Sequence, residues 1–224
     1  MNKSTTKFIA LVPMKAHSSR VKNKNIRDMA GRSLFYYILE TLRKCTHISD
    51  VYVNTDSEII KKIITKEFND IHVISRPQHL IGDSIPMNEI IKYDLSQIEG
   101  EYFLQTHCTN PLLKSETIDK AIEYFYAHRE YDSLFSVTKM QKRFFDSDGK
   151  PINHDPKKLL NTQDLDPIFE ENASIFLFTR KSFIANNHRV GKHPYMFEMN
   201  RIESIDIDDE FDFELVKNII QTKK

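Results

Sequence analysis

Short apolar segments alternate with longer amphipathic stretches along most of the chain. The apolar segments predict strands at residues 8–13, 51–54, 72–75, 102–106 and 133–137. Between them, apolar residues recur at helical spacing in three sets: Leu34, Ile38 and Leu42; Ile60, Ile63 and Ile64; and Ile118, Ile122 and Phe125. Ser33 and Ser115 stand where the N-caps of the first and third of these helices belong. This order predicts a largely parallel sheet with helices on both faces and functional side chains at the strands' carboxyl ends.

The alternation breaks at residues 141–172, which are mostly polar. Residues 143–152 predict two short strands joined at an Asp-Gly turn, and a loop rich in Asn, Asp and Pro follows. A loop of this length is usually functional or contacts another subunit, so we expect an arm that contributes to a homodimer. The chain then returns to a strand at 174–179, a strand ending in 204–208 and a closing helix with Phe213, Val216, Ile219 and Ile220. We expect residues 1–224 to form one domain that carries this arm.

Charge and cysteine content exclude several classes of protein. The 224 residues contain 32 Lys plus Arg and 32 Asp plus Glu, and this balance argues against a general nucleic-acid binder or a polybasic membrane-surface protein. Cys45 and Cys108 form no CxxC motif, which excludes a disulfide framework and a structural zinc site. No stretch resembles a signal segment or a membrane span, so we expect a cytoplasmic protein that is not bound to a membrane.

The loop that follows the first strand, residues 11–25, is unusually basic. It carries Lys15, Arg20, Lys22 and Lys24 among serines and asparagines, at the sheet edge where α/β proteins bind ligands. Only five glycines occur and they are far apart, so neither GxGxxG nor a Walker motif can be written. Charge-assisted hydrogen bonds from these cations would hold a polyanion without a glycine-rich loop. A solvated basic loop would show the same spacing.

This loop resembles the N-terminal signature of the cytidylyltransferases that activate acidic sugars, the CMP-sialate and CMP-Kdo synthetases. Lys15 replaces the family's arginine, Ser19 falls where the sialate branch has lysine, and Arg20 falls where the Kdo branch has arginine. The resemblance implies that Lys15, Arg20 and Lys24 hold the triphosphate and are the catalytic residues. It implies nucleotide contacts for Pro13, Met14, Lys15, Ser18, Ser19, Arg20, Lys24 and Asn25.

Three later segments continue the resemblance in the same order. Residues 75–83 resemble the family's RP..L..D segment, which implies that Arg76 lies beside the cytosine; a turn fixed by the neighbouring Pro77 would also explain the pattern. Residues 107–114 resemble QPTSPLR and residues 171–179 resemble NGAIYI, with Glu170 where an arginine is often found. They imply an acceptor pocket shaped by His107, Thr109, Asn110 and Asn172. His107 could equally be a hydrogen-bonded structural residue.

The segment 203–216 resembles the family's SIDIDTELDL. On a strand, Asp206 and Asp208 would point to one face about 7 Å apart, a spacing that suits one Mg²⁺ completed by water and phosphate oxygens. Asp208 or Asp209 could instead cap the final helix.

The resemblance implies a Rossmann-like, three-layer α/β nucleotidyltransferase fold with a small dimerisation excursion. The implied reaction is Mg²⁺-dependent: an acceptor hydroxyl attacks the α-phosphorus of CTP, and pyrophosphate leaves. The departures at Ser19, His107 and Glu170 leave alternatives open. These are a different nucleotide, a different acceptor such as a phosphonate or a diamino-nonulosonate, and a decayed nucleotide-binding dimer.

Overall fold

A computed structural model describes residues 7–18 and 20–222. Nine strands are present in this part of the chain: β1 (Phe8–Met14), β2 (Asp28–Met29), β3 (Arg32–Ser33), β4 (Ile48–Thr55), β5 (Ile71–Ser75), β6 (Tyr102–Gln105), β7 (Ser133–Met140), β8 (Ile168–Thr179) and β9 (Pro194–Glu198). Six α-helices connect or follow them: α1 (Leu34–Lys44), α2 (Glu58–Glu67), α3 (Met87–Gln97), α4 (Ser115–Ala127), α5 (Arg180–Asn186) and α6 (Glu210–Thr222). Three 3₁₀ turns lie at Lys24–Ile26, Gln78–Leu80 and Thr162–Asp164.

Seven strands form one sheet in the order β5-β4-β1-β6-β8-β7-β9, and β2 pairs with β3 in a separate hairpin. Only β8 runs against its neighbours among these seven described strands, because β6 and β7 both pair with it antiparallel and the other pairs are parallel. The predicted α/β fold with a mostly parallel sheet is therefore confirmed. The carboxyl ends of β1, β4 and β6 meet at one edge, the usual place for a ligand in such a sheet.

Apolar side chains of the helices bury both faces of the sheet. One cluster joins β1 and β4 to α1, α2 and α4, for example through Phe35, Ile64 and Ile122. On the other face Ile91 of α3 and Phe183 of α5 pack against the sheet. A third cluster lies under α6 and contains residues of the basic loop and of the segment before α6: Val21, Met29, Leu34, Leu112, Ile207, Phe213, Val216 and Ile220. None of the helices within residues 7–18 and 20–222 combines the length and the apolar character of a membrane span.

The predicted strand at 204–208 is wrong. Residues 201–204 form turns, and the following residues up to Asp208 are irregular. Instead of a strand ladder, one backbone hydrogen bond, from the Ile207 N–H to the Thr109 carbonyl (2.9 Å), holds this segment beside the loop that follows β6. Its alternating pattern arises because Ile207 is fully buried under α6 while its acidic neighbours are not.

The helix caps differ in part from those predicted. Ser33 precedes α1 but its side chain makes no cap hydrogen bond. Ser115 is the first residue of α4 and not its cap, which is Lys114. Glu203 anchors the start of α4 instead, since its Oε2 accepts from the Lys114 N–H (3.2 Å) and from the Thr117 hydroxyl (2.6 Å).

The predicted arm is shorter and less regular than expected. Its last residues, 168–172, belong to β8, and the two predicted strands reduce to one isolated bridge between Phe145 and Pro151. The Asn153 side chain ties the arm's base by donating to the carbonyls of Lys142 and Asp166, both at 2.8 Å. Apolar side chains remain exposed on the arm: Phe145, Ile152, Leu159 and Leu160. The homodimer stays a prediction.

Candidate active site

Two adjoining cavities open at the carboxyl ends of the central strands. The strand-end cavity, about 300 Å³, lies at the ends of β1 and β6 and includes among its lining residues Pro13, Lys15, Ser18, Arg20, Lys24, Asn25, Arg76, His107 and Thr109. The side cavity, about 370 Å³, is lined in part by Thr138, Glu170, Glu171, Asn172, Arg201 and Asp212. Ala173, Asp206 and Asp208 line both cavities. Most of the predicted site residues are therefore brought together, although they come from distant parts of the chain.

Four predicted residues lie elsewhere or cannot be placed. Met14 is buried, and it offers only its backbone carbonyl, to Arg76. Asn172 lines the side cavity, not the strand-end cavity. Asn110 lines neither cavity. Ser19 lies outside the described residues.

Each of the three predicted phosphate-binding cations already has a partner at the strand-end cavity. Lys15 Nζ pairs with Asp83 (2.8 Å), Arg20 Nη2 pairs with Asp208 Oδ1 (2.6 Å), and Lys24 Nζ donates to the Ile207 carbonyl (2.7 Å). Lys24 is 9% exposed, so it is not part of a solvated basic loop.

The basic loop is also fixed by hydrogen bonds at both ends. The Ala16 N–H donates to Asp56 Oδ1 (2.7 Å), and Asn25 Nδ2 donates to the Lys15 carbonyl (2.9 Å). Lys22, the remaining cation of the loop, is exposed and lines neither cavity. The loop therefore presents three of its cations, and not the fourth, to the strand-end cavity.

Arg76 is held from behind by a buried polar chain. Its Nε donates to Asn54 Oδ1 (2.7 Å) and its Nη2 donates to the Asn54 carbonyl (3.1 Å). Asn54 Nδ2 in turn donates to Asp94 Oδ1 (2.5 Å). Burial lowers the pKa of Arg76, and it raises the pKa of Asp94 to about 7. Arg76 does more than occupy a turn, because it lines the cavity while 7% exposed.

His107 has a similar support from two residues that sequence reasoning missed. Gln105 Nε2 lies 3.1 Å from His107 Nε2, and Gln105 Oε1 accepts from Arg189 Nη1. Burial, reinforced by the positive charges of Arg189 and Lys24, lowers the pKa of His107 to about 3. Gln105 stands at the end of a predicted strand, two residues before His107. Arg189 lies far along the chain in the loop after α5, and no local pattern indicates it.

Asp206 and Asp208 face the cavities as predicted, although on an irregular segment. Burial raises the pKa of Asp206, against an opposing hydrogen bond from Thr109. Its Oδ1 is buried without a hydrogen-bond partner in the described part of the chain, which fits a carboxylate that receives a cation. Within the described residues, no group of three or more His, Cys, Asp or Glu side chains could hold a metal. A cation here would therefore need water or ligand oxygens to complete its shell.

Asp209, and not Asp208, caps α6. Asp209 Oδ1 accepts from the Asp212 N–H (3.0 Å), and Asp212 Oδ2 accepts from the N–H groups of Asp209 (3.2 Å) and Asp208 (3.0 Å). This reciprocal pair is a capping box, and it leaves the Asp208 side chain free of any capping role.

The side-chain amide of Asn172 forms hydrogen bonds with residues of the sheet itself. Its Oδ1 accepts from the Ser136 hydroxyl (2.5 Å) and the Ser174 N–H (3.2 Å), and its Nδ2 donates to the Thr138 hydroxyl (3.1 Å). These bonds hold a β-bulge in which Ala173 has a φ of 55°. Asn172 therefore shapes the side cavity by fixing the bulge.

Asn110 is fully buried behind the site. Its Nδ2 donates to the Ile205 carbonyl (3.5 Å), and its Oδ1 has no partner among the described residues. The structure places this predicted acceptor contact under the segment that carries Asp206. It supports the carboxylates from below.

The sequence matches the protein family described as Cytidylyltransferase over residues 9–223. It is 26% identical to post-translational flagellin modification protein B of Campylobacter coli, with 97% of each chain covered. It is 28% identical to the N-acylneuraminate cytidylyltransferase of Escherichia coli O18:K1:H7 over 97% of this chain and 53% of that protein, so it spans about half of that relative's length.

The fold is similar to the structure of CMP:2-keto-3-deoxy-manno-octonic acid synthetase complexed with CTP. The TM-score is 0.72, with 10% sequence identity and coverage of 98% of this chain and 100% of that chain. At this identity the likeness concerns the fold. The predicted nucleotidyltransferase architecture is thus confirmed by a second route, and the family match spans nearly the whole sequence. This chain belongs to the cytidylyltransferase family.

Proposed function

We propose that this protein transfers CMP from CTP to a hydroxyl of an acidic sugar of the nonulosonate or ulosonate type. The observation that carries the proposal is the convergence of Lys15, Arg20 and Lys24 with two carboxylates in one strand-end cavity. The names of the two relatives and of the structural neighbour, which concern N-acylneuraminate, flagellin modification and a keto-deoxy-octonic acid, support an acidic sugar.

In the proposed reaction the acceptor oxygen bonds to the α-phosphorus of CTP while the bond from that phosphorus to the bridging oxygen breaks. Pyrophosphate leaves, and the hydroxyl proton passes to solvent. The protein contributes position and charge, as phosphoryl transfer requires. Lys15, Arg20 and Lys24 would exchange their present partners for phosphate oxygens, and Arg76 would bind on the cytosine side.

Asp206 and Asp208 would hold Mg²⁺, and the unpartnered Asp206 Oδ1 supports this assignment. When bound, the ion supplies further charge neutralisation for the phosphates. The arm is proposed to join two copies in a homodimer, since Phe145, Ile152 and Leu159 expose apolar surface there. Equilibrium sedimentation that shows a monomer at micromolar concentration would overturn the dimer.

The side cavity favours an acceptor that carries amino-derived groups. Glu170, Glu171 and Asp212 line it together with a single cation, Arg201. Carboxylates accept hydrogen bonds from N–H groups, and they repel a dianion more strongly than the single carboxylate of a nonulosonate. A diamino-nonulosonate is therefore a better candidate than a phosphonate.

The first experiment measures pyrophosphate release with Mg²⁺ and each of CTP, UTP, ATP and GTP. The acceptors are N-acetylneuraminate, Kdo, pseudaminate, legionaminate and a phosphonate. We expect release with CTP and a nonulosonate. If nothing turns over and CTP still raises the melting temperature, the acceptor lies outside the panel. If neither signal is seen, the decayed-dimer alternative replaces the proposal.

Matched variants test the roles of the residues. Asp208→Asn should remove most turnover at limiting Mg²⁺, whereas Asp209→Asn should retain it, because Asn caps a helix as well as Asp does. Lys24→Ala should weaken CTP binding at least tenfold, whereas Lys22→Ala, a change in the same loop, should not. Unchanged turnover in Asp208→Asn or unchanged CTP affinity in Lys24→Ala would contradict the corresponding role.

A further inference from the structure

Arg189 lies behind the strand-end cavity and does not line it, yet its side chain is fixed from two sides. Its guanidinium carbon lies 3.6 Å from the centre of the Phe176 ring, and its Nη1 donates to Gln105 Oε1. Its backbone N–H donates to Asn88 Oδ1 (3.3 Å), which anchors the loop that carries it.

This contact determines which way the Gln105 amide points. A guanidinium can only donate hydrogen bonds, so the amide atom that faces Arg189 must be the oxygen. The amide nitrogen is then directed to the other side, where it donates to the Thr106 carbonyl (3.0 Å) and faces His107 Nε2 (3.1 Å). Both hydrogens of the NH₂ group are thereby used.

The amide orientation in turn determines the protonation of His107. Because Gln105 Nε2 donates, His107 Nε2 must accept with its lone pair, and the single proton of the neutral ring resides on Nδ1. A proton on Nε2 would point at an NH₂ group. The charged groups that act on the ring, Arg189 and Lys24, oppose a second proton, which agrees with its lowered pKa.

We propose that Arg189 is a positioning residue that acts through Gln105 to fix His107 as a neutral donor, with its Nδ1–H directed to an oxygen atom of the bound ligand. The ring lines the strand-end cavity, and Nδ1 has no hydrogen-bond partner in the described part of the chain. The ligand oxygen could belong to CTP or to the sugar acceptor, since phosphate and hydroxyl oxygens both accept. Only this assignment of the ligand rests on the proposed function.

The decisive readout is the tautomer of His107, measured by long-range ¹H–¹⁵N NMR of ¹⁵N-labelled full-length protein. We expect the Nδ1–H tautomer throughout pH 5.5–8. A proton on Nε2, or titration of His107 within that range, would overturn the proposal. Addition of CTP, and separately of each acid sugar of the panel, identifies which ligand shifts the Nδ1–H signal. If none of them does, the donor role is refuted, although the tautomer stands.

Gln105→Glu is the sharpest variant, because it keeps the shape and the bond to Arg189 and replaces the donor by an acceptor, although it also removes the hydrogen bond to the Thr106 carbonyl. His107 should then carry its proton on Nε2 at pH 8 and turn its Nδ1 lone pair toward the ligand. We expect the dissociation constant of the responding ligand to rise about tenfold at pH 8 and to recover at pH 5.5, where the ring binds a second proton. Wild-type affinity should show no such recovery.

Arg189→Met tests the positioning role without touching the cavity, and it remains available if Gln105→Glu does not fold. We expect a mixture of His107 tautomers and an increase of several-fold in the dissociation constant, with Arg189→Lys restoring a single tautomer. Lys192→Met removes a charge from the same loop and should change neither signal. A single Nδ1–H tautomer in folded Arg189→Met would show that Arg189 does not act on His107.

Discussion

Arg76 and His107 face the same cavity and are each supported by a primary amide at the end of a parallel strand. Asn54 is the residue before the last one of β4, and Gln105 is the last residue of β6. In both cases the amide oxygen accepts from an arginine and the amide nitrogen donates away from it. The arginine stands on the cavity side of Asn54 and on the far side of Gln105.

This difference shows how the same kind of side chain, a primary amide, can support a charged group in one place and a neutral group in another. Since arginine can only donate, its position fixes the direction of the amide and therefore the hydrogen-bonding role of the residue beyond it. The cavity receives a positive charge from Arg76 and a neutral ring from His107. The titratable groups respond in opposite directions, with the pKa of Asp94 raised to about 7 and that of His107 lowered to about 3.

The largest effect is expected from removing the amide that separates two buried ionisable groups. Asn54→Leu leaves Arg76 and Asp94 buried without their shared partner, and should lower the free energy of unfolding by about 3–5 kcal/mol. Urea unfolding at pH 7 measures the loss. An Asn54→Leu, Asp94→Leu double variant should recover part of it, because only one ionisable group then remains. A loss below about 1 kcal/mol in the single variant would show that water replaces the amide.

The strands, the basic loop and the paired aspartates could be predicted because their signals are local. Apolar runs identify six of the seven strands of the described sheet, and residues 11–25 carry three cavity cations in one stretch. The sequence analysis did not predict β9 and α3, because their local apolar patterns are weak. β9 is short and only partly buried, and α3 carries the buried Asp94 within its apolar face. Their positions follow from tertiary contacts.

Two hydrogen-bonded relays support the cavity: Arg76–Asn54–Asp94, the Arg76 relay, and His107–Gln105–Arg189, the His107 relay. Neither relay could be predicted, because each joins residues that are remote in sequence. Arg189 and Gln105 are 84 positions apart, and Asn54 and Asp94 are 40 apart. Periodicity reports which side of an element is apolar, and it carries no information about polar partners across elements. Asp206 and Asp208 both line the cavities although the predicted strand is wrong, and the residue between them, Ile207, is fully buried.

Asp94→Asn should reveal the pH dependence of the Arg76 relay. The pKa of Asp94 rises from a usual value of 3.8 to about 7 on folding, so its contribution is fully present below pH 3.8 and is lost as the pH rises through 7. The amide that replaces the Asp94 carboxyl group in this variant cannot ionise. We expect Asp94→Asn to be more stable than wild type at pH 8 by on the order of 2 kcal/mol, with a smaller difference at pH 5. Equal stability at pH 8 would contradict the raised pKa.

His107→Gln should reveal a dependence of opposite sign in the other relay. The pKa of His107 falls from 6.5 to about 3 on folding, so its contribution is present above pH 6.5 and is lost as the pH falls toward 3. Without the ring, the decline in stability between pH 7 and pH 4 should shrink by on the order of 1 kcal/mol. Urea unfolding at both pH values measures it, and His79→Gln, a change at an exposed histidine, is the control. An unchanged decline in His107→Gln would remove the contrast between the relays.

The smallest effect is expected where a pair at the same cavity lacks burial. Lys15 and Asp83 lie 2.8 Å apart, but their side chains are 48% and 80% exposed, and the pKa of Asp83 is lowered mainly by its hydrogen bond to Lys15. Solvent screening leaves such a pair little net energy. Asp83→Asn should therefore leave the unfolding midpoint in urea unchanged at both 0.05 and 0.5 M NaCl. A clear decrease of the unfolding midpoint at 0.05 M NaCl would mean that ion pairing stabilises the contacts of this cavity even without burial.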